Sequence, residues 1–156
     1  MVLRLRVMSV SQADISRKEV VYREATAQGR IVLKPGTIDR IRKGRLEKGD
    51  PVSISKTMAV LAAKNTPQML ALCHPIRIER VAVDESMEKG SVKVTVTVSA
   101  HEKTGVEMEA ITAVCVALLN IWDVAKPYEK DESGQYPTTR IEDVRVVKKV
   151  KGNGSA

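Results

Sequence analysis

Val92-Lys93-Val94-Thr95-Val96-Thr97-Val98 alternates apolar and polar residues without a break. A period of two puts all four valines on one face of a β-strand, with that face against a core. From Ala110 to Trp122 the chain is apolar at every position except Thr112 and Asn120. A run of that length reads as a helix, and apolarity all round means one packed on several sides. A single domain has limited interior for such a helix, so part of its surface is expected to meet another subunit. Working back from Val92, residues 76–84 are the expected partner strand. Ile76 and Ile78 are out of phase there with Val81 and Val83, which calls for a bulge near Glu79-Arg80. Glu85 to Gly90 is then the hairpin loop. Gly49-Asp50-Pro51 is a helix start, with Asp50 as N-cap and Pro51 at the first helical position. Ile54, Met58, Leu61 and Ala62 form its apolar stripe, and it ends near Asn65-Thr66-Pro67. Before it, Lys34-Pro35-Gly36 is a turn and Thr37 caps a short helix with Ile38 and Ile41 inward. Residues 8–33 read as a strand or strand-turn-strand, and Ile141 to Val150 as the last strand. The order β, α, α, β, β, α, β gives an α+β fold: an antiparallel sheet with helices packed on one face. The expectation is one domain over residues 1–156, frayed at about 1–10 and 152–156.

The composition agrees with one folded domain. The chain has 156 residues, 43% hydrophobic and 29% charged, which excludes a disordered or fibrous protein. No wholly apolar run approaches the ~18 residues of a membrane span, so no membrane partner is expected. The opening Met1-Val-Leu-Arg-Leu-Arg-Val has no apolar signal core, and a cytoplasmic protein is expected. Cys73 and Cys115 sit among apolar neighbours and read as two reduced, mostly buried thiols. The net charge of +7 favours an anionic partner. With no Phe, one Trp and three Tyr, the chain has little with which to stack single-stranded bases. The anion could as well be small.

Three clusters are not explained by packing. Leu72-Cys73-His74-Pro75 puts a histidine between a helical end and a strand, either as a turn residue or as a functional one. Adjacent Cys and His side chains point to opposite sides of an extended chain, so zinc is not expected. Lys103-Thr104-Gly105-Val106-Glu107-Met108-Glu109 heads the apolar helix. Thr104-Gly-Val-Glu107 matches a capping box, which would account for Glu107. Glu109 is not covered by that account and enters the apolar stretch, where an unpaired charge is costly. Trp122-Asp123-Val124-Ala125-Lys126 closes the helix. An aspartate at a helix C-terminus meets a dipole of its own sign. Its i, i+3 lysine makes it either a plain ion pair or an acid/base pair. If residues 104–124 form one helix, Glu109 and Asp123 lie fourteen residues apart, roughly 21 Å along the axis. They cannot both touch one small substrate within one chain, so a pocket using both must be built from two subunits.

These runs, together with Lys48-Gly49-Asp50 and Asp14-Ile-Ser-Arg-Lys18 followed by Arg23-Glu24-Ala25, resemble the family of molybdenum cofactor biosynthesis protein C, the cyclic pyranopterin monophosphate synthases. The resemblance runs from about Asp14 to Lys151. It implies a ferredoxin-like α+β hexamer, a trimer of dimers with its pocket at a subunit interface. It implies a lyase that takes 3′,8-cyclised dihydro-GTP to cyclic pyranopterin monophosphate and diphosphate, with no cofactor. By motif position it makes Asp123, Lys126 and Lys48 the catalytic residues. His74, Glu107, Met108 and Glu109 line the pterin side, and Leu72 and Cys73 contact substrate by backbone or packing. Asp14, Arg23 and Lys149 are wall residues, and either Lys149 or Lys151 reaches phosphate. Ala71 replaces a proline frequent in the family, and residues 131–139 carry no transfer. The competing class is a basic nucleic-acid-binding module built on Lys34 to Lys48, a stretch that reads as a solvated face.

Overall fold

The computed structural model describes residues 9–152. Its elements are β1 (Val21–Val32), α1 (Pro35–Arg42), α2 (Pro51–Lys64), α3 (Thr66–Met69), β2 (Arg80–Met87), β3 (Ser91–Glu102), α4 (Glu107–Glu129) and β4 (Arg140–Lys151). The four strands form one antiparallel sheet in the order β2-β3-β1-β4, the ferredoxin-like α+β arrangement expected. Val92, Val94, Val96 and Val98 are all buried, as the alternation requires. Each gains about 1.5–3 kcal/mol over an exposed position. Ala25, Ala27 and Ile31 of β1 share that face, and α4 covers it, packing on β1, β3 and β4. α2 lies against α4 and reaches β2.

α4 has 23 residues and is, by length and composition alone, apolar enough to cross a membrane. Here it is the core helix, with Ala110, Ala113, Val114, Ala117, Leu118 and Ile121 buried.

Several local readings are corrected. The segment 8–33 holds one strand, not two: Gly29 is no turn but the point in β1 where α4 comes closest. A Cβ there would lie 2.9 Å from Leu118 Cδ1, 2.9 Å from Val144 Cγ2 and 3.0 Å from Val114 Cγ1. No bulge is needed at Glu79-Arg80, because Ile76 and Ile78 precede the strand and β2 pairs regularly from Arg80. Glu85 belongs to β2 and not to the loop; its half-buried carboxyl meets Ser55 Oγ. The stripe on α2 is also different. It buries the small residues Ser55, Ala59, Ala62 and Ala63 and leaves Leu61 exposed. Asp50 caps α2 as expected, accepting from Val52 N at 3.0 Å and Ser53 N at 3.3 Å.

α1 begins three residues earlier than the Thr37 cap requires, with Lys34 as its N-cap. Thr37 instead donates to the buried carboxylate of Glu129, which also accepts from Lys34 N and Thr139 Oγ1. That carboxylate ties the end of α4 to the start of α1. Of the ends expected to fray, residues 1–8 and 153–156 lie outside the described residues. Gly152 is held, its amide donating to Tyr22 O at 3.1 Å.

Candidate active site

β3 delivers the chain to the turn Lys103–Val106, and α4 starts immediately after it. Val106 is the N-cap and makes no side-chain cap, so the expected Thr104 capping box is not formed. Glu107 and Glu109 still suit the first turn, where the helix dipole favours negative charge. Gly105 gives the Glu107 side chain room in this conformation. A Cβ would overlap the Glu107 carboxylate, which folds back over it.

That carboxylate pairs with Lys149 of β4. Burial pushes Glu107 up, but the Lys149 ammonium and neighbouring donors outweigh it and hold the carboxyl below its ordinary value. Arg23, buried at 8% exposure, donates to Glu102 O at 3.3 Å and Lys103 O at 3.2 Å. It locks β1 to this turn. The result is an open cleft of about 510 Å³ whose walls include Lys18, Arg23, Lys103, Glu107, Lys149 and Lys151. Five cations against two carboxylates, Glu19 and Glu107, suit an anionic ligand such as phosphate.

A second cleft of about 400 Å³ adjoins it and shares Lys18, Thr104, Gly105 and Glu107. Leu72, Cys73, His74, Met108 and Glu109 line it, with Ile15 and Ile76. The segment before β1 crosses this wall: Gln12 Nε2 donates to Cys73 O at 3.2 Å. Glu109 is only 2% exposed. Burial raises its carboxyl to about 7, and the nearby Glu107 charge adds to the rise. Burial, and then Glu109, push the Cys73 thiol up. Cys73 and Cys115 are both free and half-buried. Asp14 does not line either cleft. Its carboxylate accepts from Ser16 N at 2.9 Å and shapes the turn; Ser16 O in turn accepts from Lys103 Nζ at 3.1 Å.

The third group lies far along α4. The helix does not end at Asp123 but runs through Pro127 to Glu129, so Asp123 is not at a C-terminus. Proline lacks an N–H and normally breaks a helix by orphaning the carbonyl four residues back. That carbonyl belongs to Asp123, and Lys48 Nζ lies 3.3 Å from it and 2.9 Å from Asp123 Oδ2. Lys126 Nζ sits 2.9 Å from the other carboxylate oxygen. Lys48, then Lys126, hold the Asp123 carboxyl below its usual range, and Asp123 raises Lys126 in return. All three side chains are about half exposed. Trp122 and Tyr136 meet edge to face beside them, with centroids 5.9 Å apart.

The sequence candidates therefore fall into two groups on one helix, roughly 21 Å apart at ~1.5 Å per residue. Leu72, Cys73, His74, Glu107, Met108, Glu109, Arg23 and Lys149 gather at the start of α4; Lys48, Asp123 and Lys126 gather near its end. Sequence reasoning missed Ile15, Lys18 and Lys103 as wall residues. Both lysines stand inside the motif runs and could have been found there. Among the described residues, no group of three or more His, Cys, Asp or Glu is placed to hold a metal.

The fold and these two clusters define an α+β protein with a cation-rich cleft at one end of α4 and an Asp–Lys–Lys cluster near the other. A family model described as the MoaC family matches residues 12–152, and the chain belongs to that family. It is 52% identical over 138 residues to a protein of Sulfurisphaera tokodaii, covering 88% of this chain and 91% of that one. It is 52% identical over 141 residues to one of Sulfolobus acidocaldarius, covering 90% and 99%. To one of Thermococcus kodakarensis it is 50% identical over 143 residues, covering 92% of each. All three relatives carry the name "Probable cyclic pyranopterin monophosphate synthase".

Proposed function

We propose that this chain is a cyclic pyranopterin monophosphate synthase, a lyase of molybdenum cofactor biosynthesis that converts 3′,8-cyclised dihydro-GTP to cyclic pyranopterin monophosphate and diphosphate. The observation that carries the reading is family membership across nearly the whole chain, with relatives of that name about half identical to it.

The residues suit the chemistry. Rearranging a purine-derived ring into a pterin and closing a cyclic phosphate need several proton transfers, each at a positioned acid or base. Asp123, ionised between two ammonium groups, is the base, and Lys126 the acid beside it. Lys48 is the second catalytic lysine. Departing diphosphate develops negative charge, which Arg23, Lys149 or Lys151 and the other cleft cations can stabilise. Guanine-type N–H donors match carboxylates such as Glu107 and Glu109, each able to accept two bonds. With its pKa near 7, Glu109 can hold or release a proton at neutral pH.

The two groups of residues work together only if the α4 start of one subunit meets the α4 end of another. The assembly in this reading is a homohexamer, a trimer of dimers, in the cytoplasm. Leu119 on α4, 56% exposed, supports a subunit contact there. The decisive experiment supplies the cyclised GTP intermediate and looks for diphosphate and an oxidisable pterin; neither product would reject the reading. Tight, steeply salt-dependent binding of long polynucleotides would instead favour the nucleic-acid-binding module.

A further inference from the structure

Lys48 belongs to no regular element. It lies on the stretch 43–50 between α1 and α2, where Gly44 and Gly49 take positive φ of 61° and 108°. A lysine on such a loop, with four rotatable bonds of its own, does not meet Asp123 by chain geometry alone. Buried Leu46 and the bonds Arg45 N to Arg40 O and Gly49 N to Leu46 O anchor the loop as a whole, and the residue next to Lys48 ties it to α4. The amide of Glu47 donates to Tyr128 Oη at 3.1 Å, and Tyr128 stands on α4, five residues beyond Asp123. The Tyr128 ring is half-buried against the core, with the Arg40 guanidinium 5.0 Å from its centroid. Pro127, next to it, leaves the Asp123 carbonyl open to Lys48. One dipeptide of α4 thus acts on both sides of the contact: proline exposes the acceptor, and tyrosine holds the loop that brings the donor.

We propose that Tyr128 is a positioning residue for the reaction: its phenol oxygen, by accepting from the Glu47 amide, fixes the loop that brings Lys48 to Asp123. The inference rests on the reading of Lys48 and Asp123 as catalytic. The hydroxyl is poorly accounted for by stability. The Glu47 amide lies at the surface, so on losing Tyr128 Oη it returns to water at little cost, whereas Lys48 loses the tie of its neighbour to α4 and is less closely held against Asp123.

The test is Tyr128→Phe in the full chain, which keeps the ring and its contact with Arg40. The expected result is a fall in kcat of about fivefold, with KM changed by less than about twofold and the urea midpoint lowered by no more than the loss of one surface hydrogen bond allows. A second readout needs no substrate: the Asp123 carboxyl is titrated by carbon NMR of aspartate-labelled protein. Lys48 is the main cause of its low value, so in Tyr128→Phe the titration should move up towards the ordinary carboxylate range. In a Lys48→Ala background, Tyr128→Phe should add nothing. An Asp123 titration unmoved by Tyr128→Phe, or a shift of full size persisting without Lys48, overturns the proposal. Because this readout is independent of turnover, an inactive wild-type chain would reject the proposed function and leave the coupling still measurable.

Discussion

Replacing Glu109 by glutamine should remove a specific pH dependence from the stability of the fold. Glu109 is 2% exposed, and its carboxyl is raised from 4.5 to about 7, chiefly by burial. In the unfolded chain it titrates near 4.5, so between those values the folded state holds a proton that the unfolded state has lost. Stability is therefore full below about pH 4.5, falls by about 1.4 kcal/mol per pH unit through the window, and levels off above about pH 7. The total loss is about 3 kcal/mol. Glutamine keeps the shape and does not titrate. Urea unfolding at half-unit steps from pH 4.5 to 8, at matched protein concentration, gives the two curves. Their difference should grow by about 3 kcal/mol from the acid to the alkaline end, with glutamine gaining on the wild type as pH rises. Groups not coupled to Glu109 cancel in that difference; Glu107, whose charge adds to the rise, belongs to the measured effect. Parallel curves would refute the reasoning, and with it the claim that Glu109 holds a proton near neutrality.

Two further expectations are simpler to check. Gly29→Ala places a methyl group within 3.0 Å of three side-chain atoms on α4 and β4, and should lower the unfolding free energy by about 1–3 kcal/mol, as overpacking does. Asp123→Asn and Lys126→Ala should each abolish product formation from the cyclised GTP intermediate while size-exclusion elution stays unchanged; wild-type rates in either would remove the acid/base assignment.

The parts of the fold that were legible in the sequence are those governed by local periodicity or capping. The valine alternation of β3 and the Asp50-Pro51 start of α2 needed no tertiary knowledge. The misreadings share a different cause: a tertiary partner took over a local role. Thr37 left its capping position for Glu129. Leu61 was assigned inward by its place in the i, i+4, i+7, i+8 apolar stripe, yet α2 turns its small residues to the interior and leaves the larger side chain outside. Pro127 reads locally as a helix stop, but the helix continues past it, and Lys48, 75 residues from Asp123 in sequence, donates to the carbonyl that the proline orphans. The proline four residues on is what made Asp123 look like a terminal residue when it is not. Both halves of the site were legible as motifs, and their separation followed from helix rise alone. The cleft cations Lys18 and Lys103 stand inside the motif runs but break no local rule, and only the fold sets the segment before β1 beside the turn at Lys103–Val106.

The most direct test of a pocket shared between subunits uses two inactive variants. Glu109→Gln and Asp123→Asn chains, carrying different affinity tags, are co-expressed and purified on both tags in succession, so that every oligomer contains each kind. The shared pocket predicts renewed diphosphate release, because a Gln chain and an Asn chain together supply one cleft with both native groups. A doubly purified mixed oligomer as inactive as its parents would contradict it.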